Sequence, residues 1–147
     1  MVVRQITDLN KVLVSCLWVV VCLLGLAREA GAERVTIVSP QCPLPSVVAA
    51  DNWKDLNKAV AADLCDYLSR LSGREIKVSP APADEGVVIH VGQDAFVKQH
   101  APEIDELYGD GYILKYVASA GRHHLILAGR KVRSAQWAVE EFLKDYG

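Results

Sequence analysis

The sequence predicts an α/β domain of the α+β type: a mixed sheet of about five strands with two main helices packed on one face, in the order β-α-β-β-(α)-β-β-α. Three observations predict it. Trp53, Leu56, Val60, Leu64, Leu68 and Leu71 recur at steps of three and four, the stripe of an amphipathic helix. VVIHVG, residues 87–92, is a nearly continuous apolar run, the pattern of a strand covered on both faces. YILKYVAS and HHLILAG flank Ala120-Gly121-Arg122 at hairpin length and lead into a second amphipathic segment.

Taken in order, RVTIVS (34–39) is rich in β-branched residues and ends at Pro40, which predicts a first strand. QCPLPS (41–46) holds two prolines and is expected to be irregular. Asp51 is placed to cap a helix over 52–72, which Gly73 stops. Asp55, Lys58, Asp63, Asp66 and Arg70 fall mostly off the apolar stripe and read as its solvated side. A second strand is expected at 75–79, closed by PAPADEG. After the 87–92 strand, Asp94 suits the cap of a short helical segment, and Pro102 the first turn of another that ends near Tyr108. GDG (109–111) is a turn before the hairpin. The final helix, 134–146, puts Ala135, Ala138, Val139, Phe142 and Leu143 on one side with Trp137 beside them.

The front of the chain is different in kind. Arg4 and Lys11 precede the apolar run VLVSCLWVVVCLLGLA (12–27), and Ala30 and Ala32 form a small-x-small exit before Glu33. That is the layout of a secretory signal peptide over 1–32. The run is 16 residues, against about 20 for a comfortable membrane span. An uncleaved anchor is the alternative. Cleavage leaves one domain, 33–147, in a secreted or periplasmic setting. Cys16 and Cys22 leave with the signal, whereas Cys42 and Cys65 remain, and export makes a disulfide between them chemically feasible. Nothing in their spacing decides between a pair and a buried Cys65. A net charge of −2 gives no electrostatic reason to expect nucleic acid or an anionic membrane as a partner once the signal is removed.

Chemistry is sparse. His90, His100, His123 and His124 lack metal-ligand spacing, and the adjacent His123 and His124 point to opposite faces of a strand. No metal or cofactor is expected. The acidic pairs Asp84-Glu85 and Glu140-Glu141, and the Glu103–Glu106 stretch, all have simple readings as solvated or helix-end charges. None sits in the apolar strand-end setting that raises the pKa of a general acid. G-x-S-x-G and glycine-rich phosphate loops are missing. Arg130, Lys131 and Arg133 form the most basic spot.

The ordered features resemble a known family. They are Ala61, Leu64, Leu68 and Gly73 in a helix; Ile89-His90-Val91-Gly92; Asp110-Gly111-Tyr112-Ile113; Leu125 to Gly129; and Trp137-Ala138-Val139, Phe142-Leu143 and Gly147 in the closing helix. Together the pattern resembles the N-terminal accessory domain found ahead of glycoside-hydrolase barrels, as in the α-glucuronidase N-terminal domain and the second domain of bacterial β-hexosaminidases. It covers nearly all of 33–147, and its motifs record core packing rather than chemistry. Ser134 stands where such domains often have glycine, and Trp137 where tyrosine is usual. The resemblance implies a non-catalytic domain partnered with a TIM barrel that carries the catalytic carboxylates. No catalytic residue carries over to this chain.

The first expectation is therefore an accessory domain of a carbohydrate-active enzyme, not itself an enzyme, with its barrel missing here or separately encoded. Gly147 then reads as the point where a catalytic half would follow. The alternative is an autonomous exported module that binds a glycan or a protein. A small hydrolase ranks third. Trp53, Arg130, Lys131, Arg133 and Trp137 are the candidates for a docking or ligand surface, with Tyr108 as a further exposed aromatic in the second reading.

Overall fold

The computed structural model describes residues 35–39, 41–131 and 133–146. The expected signal peptide lies outside them, as does Gly147. Five strands form one mixed sheet: β1 (Ser46–Ala49), β2 (Val78–Ser79), β3 (Val87–Val91), β4 (Tyr112–Ser119) and β5 (Arg122–Gly129). Their spatial order is β2-β1-β3-β5-β4. All neighbours run parallel except the β4–β5 hairpin. The helices are α1 (Lys54–Ser72), α2 (Ala95–His100) and α3 (Ser134–Tyr146), with a 3-10 turn at Pro102–Glu106. Among the described residues no helix is long and apolar enough to cross a membrane.

The two long helices cover one face of the sheet, as expected. Val60, Ala61, Leu64, Cys65 and Leu68 of α1 meet Ala135, Ala138, Val139 and Phe142 of α3 in a single core over Val47, Ile89, Val91 and Leu127. The period of 3.6 in the helices and of 2 in the strands brings these residues to the same layer. The stripe read from the sequence overshoots at both ends: Trp53 and Leu71 are exposed, because α1 outruns the short strands beneath it. The opposite face is covered by α2 and the 3-10 turn, where Val97, Ala101 and Ile104 pack on Ile126 and Ala128. β3 is consequently buried at all five positions.

Three expectations change. The first strand is Ser46–Ala49, not 34–39, and it begins directly after Pro45. Residues 35–39 join no strand, although Val35, Ile37 and Val38 still pack against the core. β1 needs free N–H groups on both sides to pair with β2 and β3. A proline just ahead of it costs no ladder bond, whereas one inside would. Asp51 does not cap α1. Trp53 takes the N-cap position in a left-handed backbone conformation (φ 51°) and offers no side-chain hydrogen bond. The second strand shortens from 75–79 to two residues.

Other local signals hold. Gly73 ends α1 in the left-handed conformation, its N–H donating to the carbonyl of Ser69. Asp94 caps α2 by accepting from the Val97 N–H at 2.8 Å. The hairpin closes on Ala120 and Gly121, both at positive φ, and Arg122 belongs to β5 rather than to the turn. Two positive-φ residues give the twist that matches the flanking strands.

Cys42 and Cys65 are unpaired. Cys65 sits in the core, where burial first and the neighbouring Asp66 second push its thiol up to about 11. Its thiolate fraction at neutral pH then falls about a hundredfold below that of an ordinary thiol. Iodoacetamide followed by peptide mapping is expected to label Cys42 and to leave Cys65 unmodified until the chain is unfolded. Labelling of both at equal rates would contradict the burial.

Candidate functional site

The chain leaves β1 through α1 on one face of the sheet and leaves β3 through α2 on the other. In open parallel sheets the crevice beyond the strand ends at such a reversal is the usual ligand position. Here it is filled by amides. Asn57, wholly buried, donates through Nδ2 to the carbonyls of Ala50 (3.2 Å) and Asn52. Asn52 Oδ1 accepts from the Gln93 N–H at 3.1 Å, and Gln93 Nε2 reaches the Gly129 carbonyl at 2.7 Å. The ends of β1, β3 and β5 are thus tied together. Asn57 Oδ1 has no hydrogen-bond partner among the described residues. Beside this knot an open recess of about 580 Å³ is lined by Asp51, Lys54, Lys58, Ser79 and Pro80.

The five surface residues singled out in the sequence all map to this end of the sheet. Trp53 precedes α1, which follows β1, and the other four follow β5, which runs parallel to β1. Their roles diverge. Arg130 donates through Nη1 to the Leu107 carbonyl at 2.9 Å, and Lys131 pairs with Asp110 at 3.4 Å. These two hold the 107–111 loop against the start of α3. Ser134 helps them, accepting from the Lys131 N–H at 3.1 Å. Arg133 is exposed and makes no ion pair among the described residues. Trp53 and Trp137 remain 39% and 51% exposed. Tyr108 is almost fully exposed.

On the other face the structure brings together histidines that the sequence left separate. Parallel pairing sets Val88 opposite His124 and His90 opposite Ile126. His90 and His124 therefore share a face, two positions apart. His90 Nδ1 lies 2.5 Å from Asp94 Oδ2, and His90 Nε2 lies 3.0 Å from His124 Nδ1. Both rings are buried, 1% and 6% exposed. Phe96 stacks on three imidazoles, with ring centres 4.6 Å from His90, 4.0 Å from His124 and 4.1 Å from His100. Burial draws the Asp94 carboxyl upward, but hydrogen bonds from His90 and the Val97 N–H outweigh it and hold the group below its ordinary range. A carboxylate at Asp94 fixes a proton on His90 Nδ1, since a carboxylate only accepts. His123, on the reverse face, pairs instead with the Tyr116 hydroxyl. Among the described residues no group of three or more His, Cys, Asp or Glu side chains is placed to hold a metal ion.

Comparison with protein-family models and with curated proteins gives no match.

Proposed function

We propose that this chain is a non-catalytic accessory domain of a carbohydrate-active enzyme, and that it docks on a glycoside-hydrolase barrel through the strand-end surface carrying Trp53 and Trp137. The observation that supports this reading is the placement of those two indoles. Both are half-exposed, both stand at the N-terminal ends of helices that share one face, and both follow parallel strands. Large aromatics with free arginine nearby are the residues that most often dominate binding energy at an interface. Arg133 supplies the charge. Export through the expected signal peptide fits a partner that acts on polysaccharide outside the cell.

The test joins a gene reading to a binding measurement. An in-frame or neighbouring reading frame encoding a barrel is expected, and its product should co-purify with the full chain on co-expression. Replacing Trp53 and Trp137 together by alanine should weaken that complex about thirtyfold or more, with the thermal midpoint nearly unchanged. Unrelated neighbouring sequence, with glycan binding by the chain alone, would establish the autonomous binding module instead. Turnover of aryl-glycosides by the purified chain would remove the non-catalytic reading.

A further inference from the structure

The face opposite α1 and α3 carries a buried proton-sharing chain that the docking surface does not use. Asp94 has two jobs in it. Oδ1 caps α2 through the Val97 N–H, and Oδ2 receives the proton of His90 Nδ1. His90 Nε2 is then left facing His124 Nδ1 at 3.0 Å. One proton fits between those nitrogens. With the pair neutral, His124 donates to His90. With one extra proton, His90 donates to His124, and the Asp94 carboxylate balances the imidazolium. With two, a pair of N–H donors meet head on, and two like charges are buried side by side.

The surroundings do not relieve that third state. Arg122 on β5 and His100 on α2 add positive potential at His124, and Asp94 is the carboxylate that opposes them. Lys115 on β4 is engaged by Glu103 of the 3-10 turn at 2.5 Å and by the His100 carbonyl at 2.8 Å. The Phe96 face attracts an imidazolium but cannot remove the clash of donors. The segment so held is short, because α2 spans only Ala95–His100 before the 3-10 turn.

We infer that the Asp94–His90–His124 chain is an acid-operated latch, which holds segment 94–106 on the sheet while the histidine pair carries at most one extra proton and releases it when both rings are protonated. The sign follows from linkage. Burial first, then His90, Arg122 and His100, lower the His124 pKa below its ordinary value. The latched state takes its last proton at lower pH than the released one. Latching is therefore complete above the ordinary histidine pKa and is lost as pH falls from there through the lowered value. Each proton taken up on release shifts the open-to-closed ratio about tenfold per pH unit.

Hydrogen exchange of the full chain, corrected for intrinsic rates, reads this directly. As pH falls below the ordinary histidine value of about 6.5, the amides of 95–106 are expected to open more often, by up to about tenfold per pH unit, while those in the middle of α1 stay protected. In His124→Asn a side-chain amide occupies the Nδ1 position and cannot charge, so the dependence should flatten. Should that variant misfold, histidine ring shifts followed by nuclear magnetic resonance in the wild type serve instead, with His124 expected to titrate below a free histidine. Protection of 95–106 that is indifferent to pH would overturn the latch. So would loss of equal size in His124→Asn, or loss that spreads in step through α1 and α3.

Discussion

Leu64→Ala is expected to lower the free energy of unfolding by about 2–5 kcal/mol. Leu64 is completely buried where α1 lies on the sheet, within the core that α3 completes on the same face. Truncation removes a side chain from water-free packing and leaves a void that neighbours on helices and strands can only partly fill. A domain of this size has about 5–15 kcal/mol of stability in all, so the loss is a large share. Urea denaturation checks it, the midpoint falling with an unchanged slope. A cost below about 1 kcal/mol would mean that the site collapses freely, against the close packing expected of a core.

Gly92→Ala is expected to cost about 3 kcal/mol or more, from two separate causes. Gly92 directly follows β3 at φ 90°, a backbone region that side chains disfavour. An added Cβ would also lie 2.9 Å from Asn57 Cγ, closer still to Asn57 Nδ2, and 3.1 Å from the Ala50 methyl. Asn57 cannot swing aside without giving up its bonds to Ala50 and Asn52. The cycle with Asn57→Ala separates the causes. Shortening Asn57 makes room, so the double substitution should cost less than the sum of the singles, and the remainder measures backbone strain. Strict additivity would show that the steric term is small. Because Gly92 leads into Asp94, the variant should also loosen the latch on the opposite face.

Much of the fold was legible one element at a time. The α1 stripe, the Gly73 stop, the Asp94 cap, the buried β3 run and the hairpin all rest on interactions within a few residues, so their signals are local. The first strand is not legible locally, because RVTIVS and SVVA offer similar propensities. Only the available pairing partners select between them, and SVVA is the segment flanked by β2 and β3. Asp51 was a reasonable cap by residue type, but the chain turns later, at Trp53, where the Asn52–Asn57 contacts hold it.

The candidate sites divide the same way. Arg133 could be marked as surface from its residue type, whereas Trp53 and Trp137 border apolar stripes in the sequence, and the common end of the sheet that all three share follows only from β1 and β5 being parallel. Arg130 and Lys131 looked equivalent to Arg133 until the 107–111 loop came to rest on them.

The sequence by itself determined the two long helices, the buried β3 run and the hairpin, and which side of each long helix is apolar, because periodicity is a property of consecutive residues. It determined too that His123 and His124 face opposite ways. Tertiary structure alone decided that His90 meets His124 across 34 residues of chain. A strand's pattern fixes the alternation of its side chains, but register depends on how two strands align, and here it sets Val88 against His124.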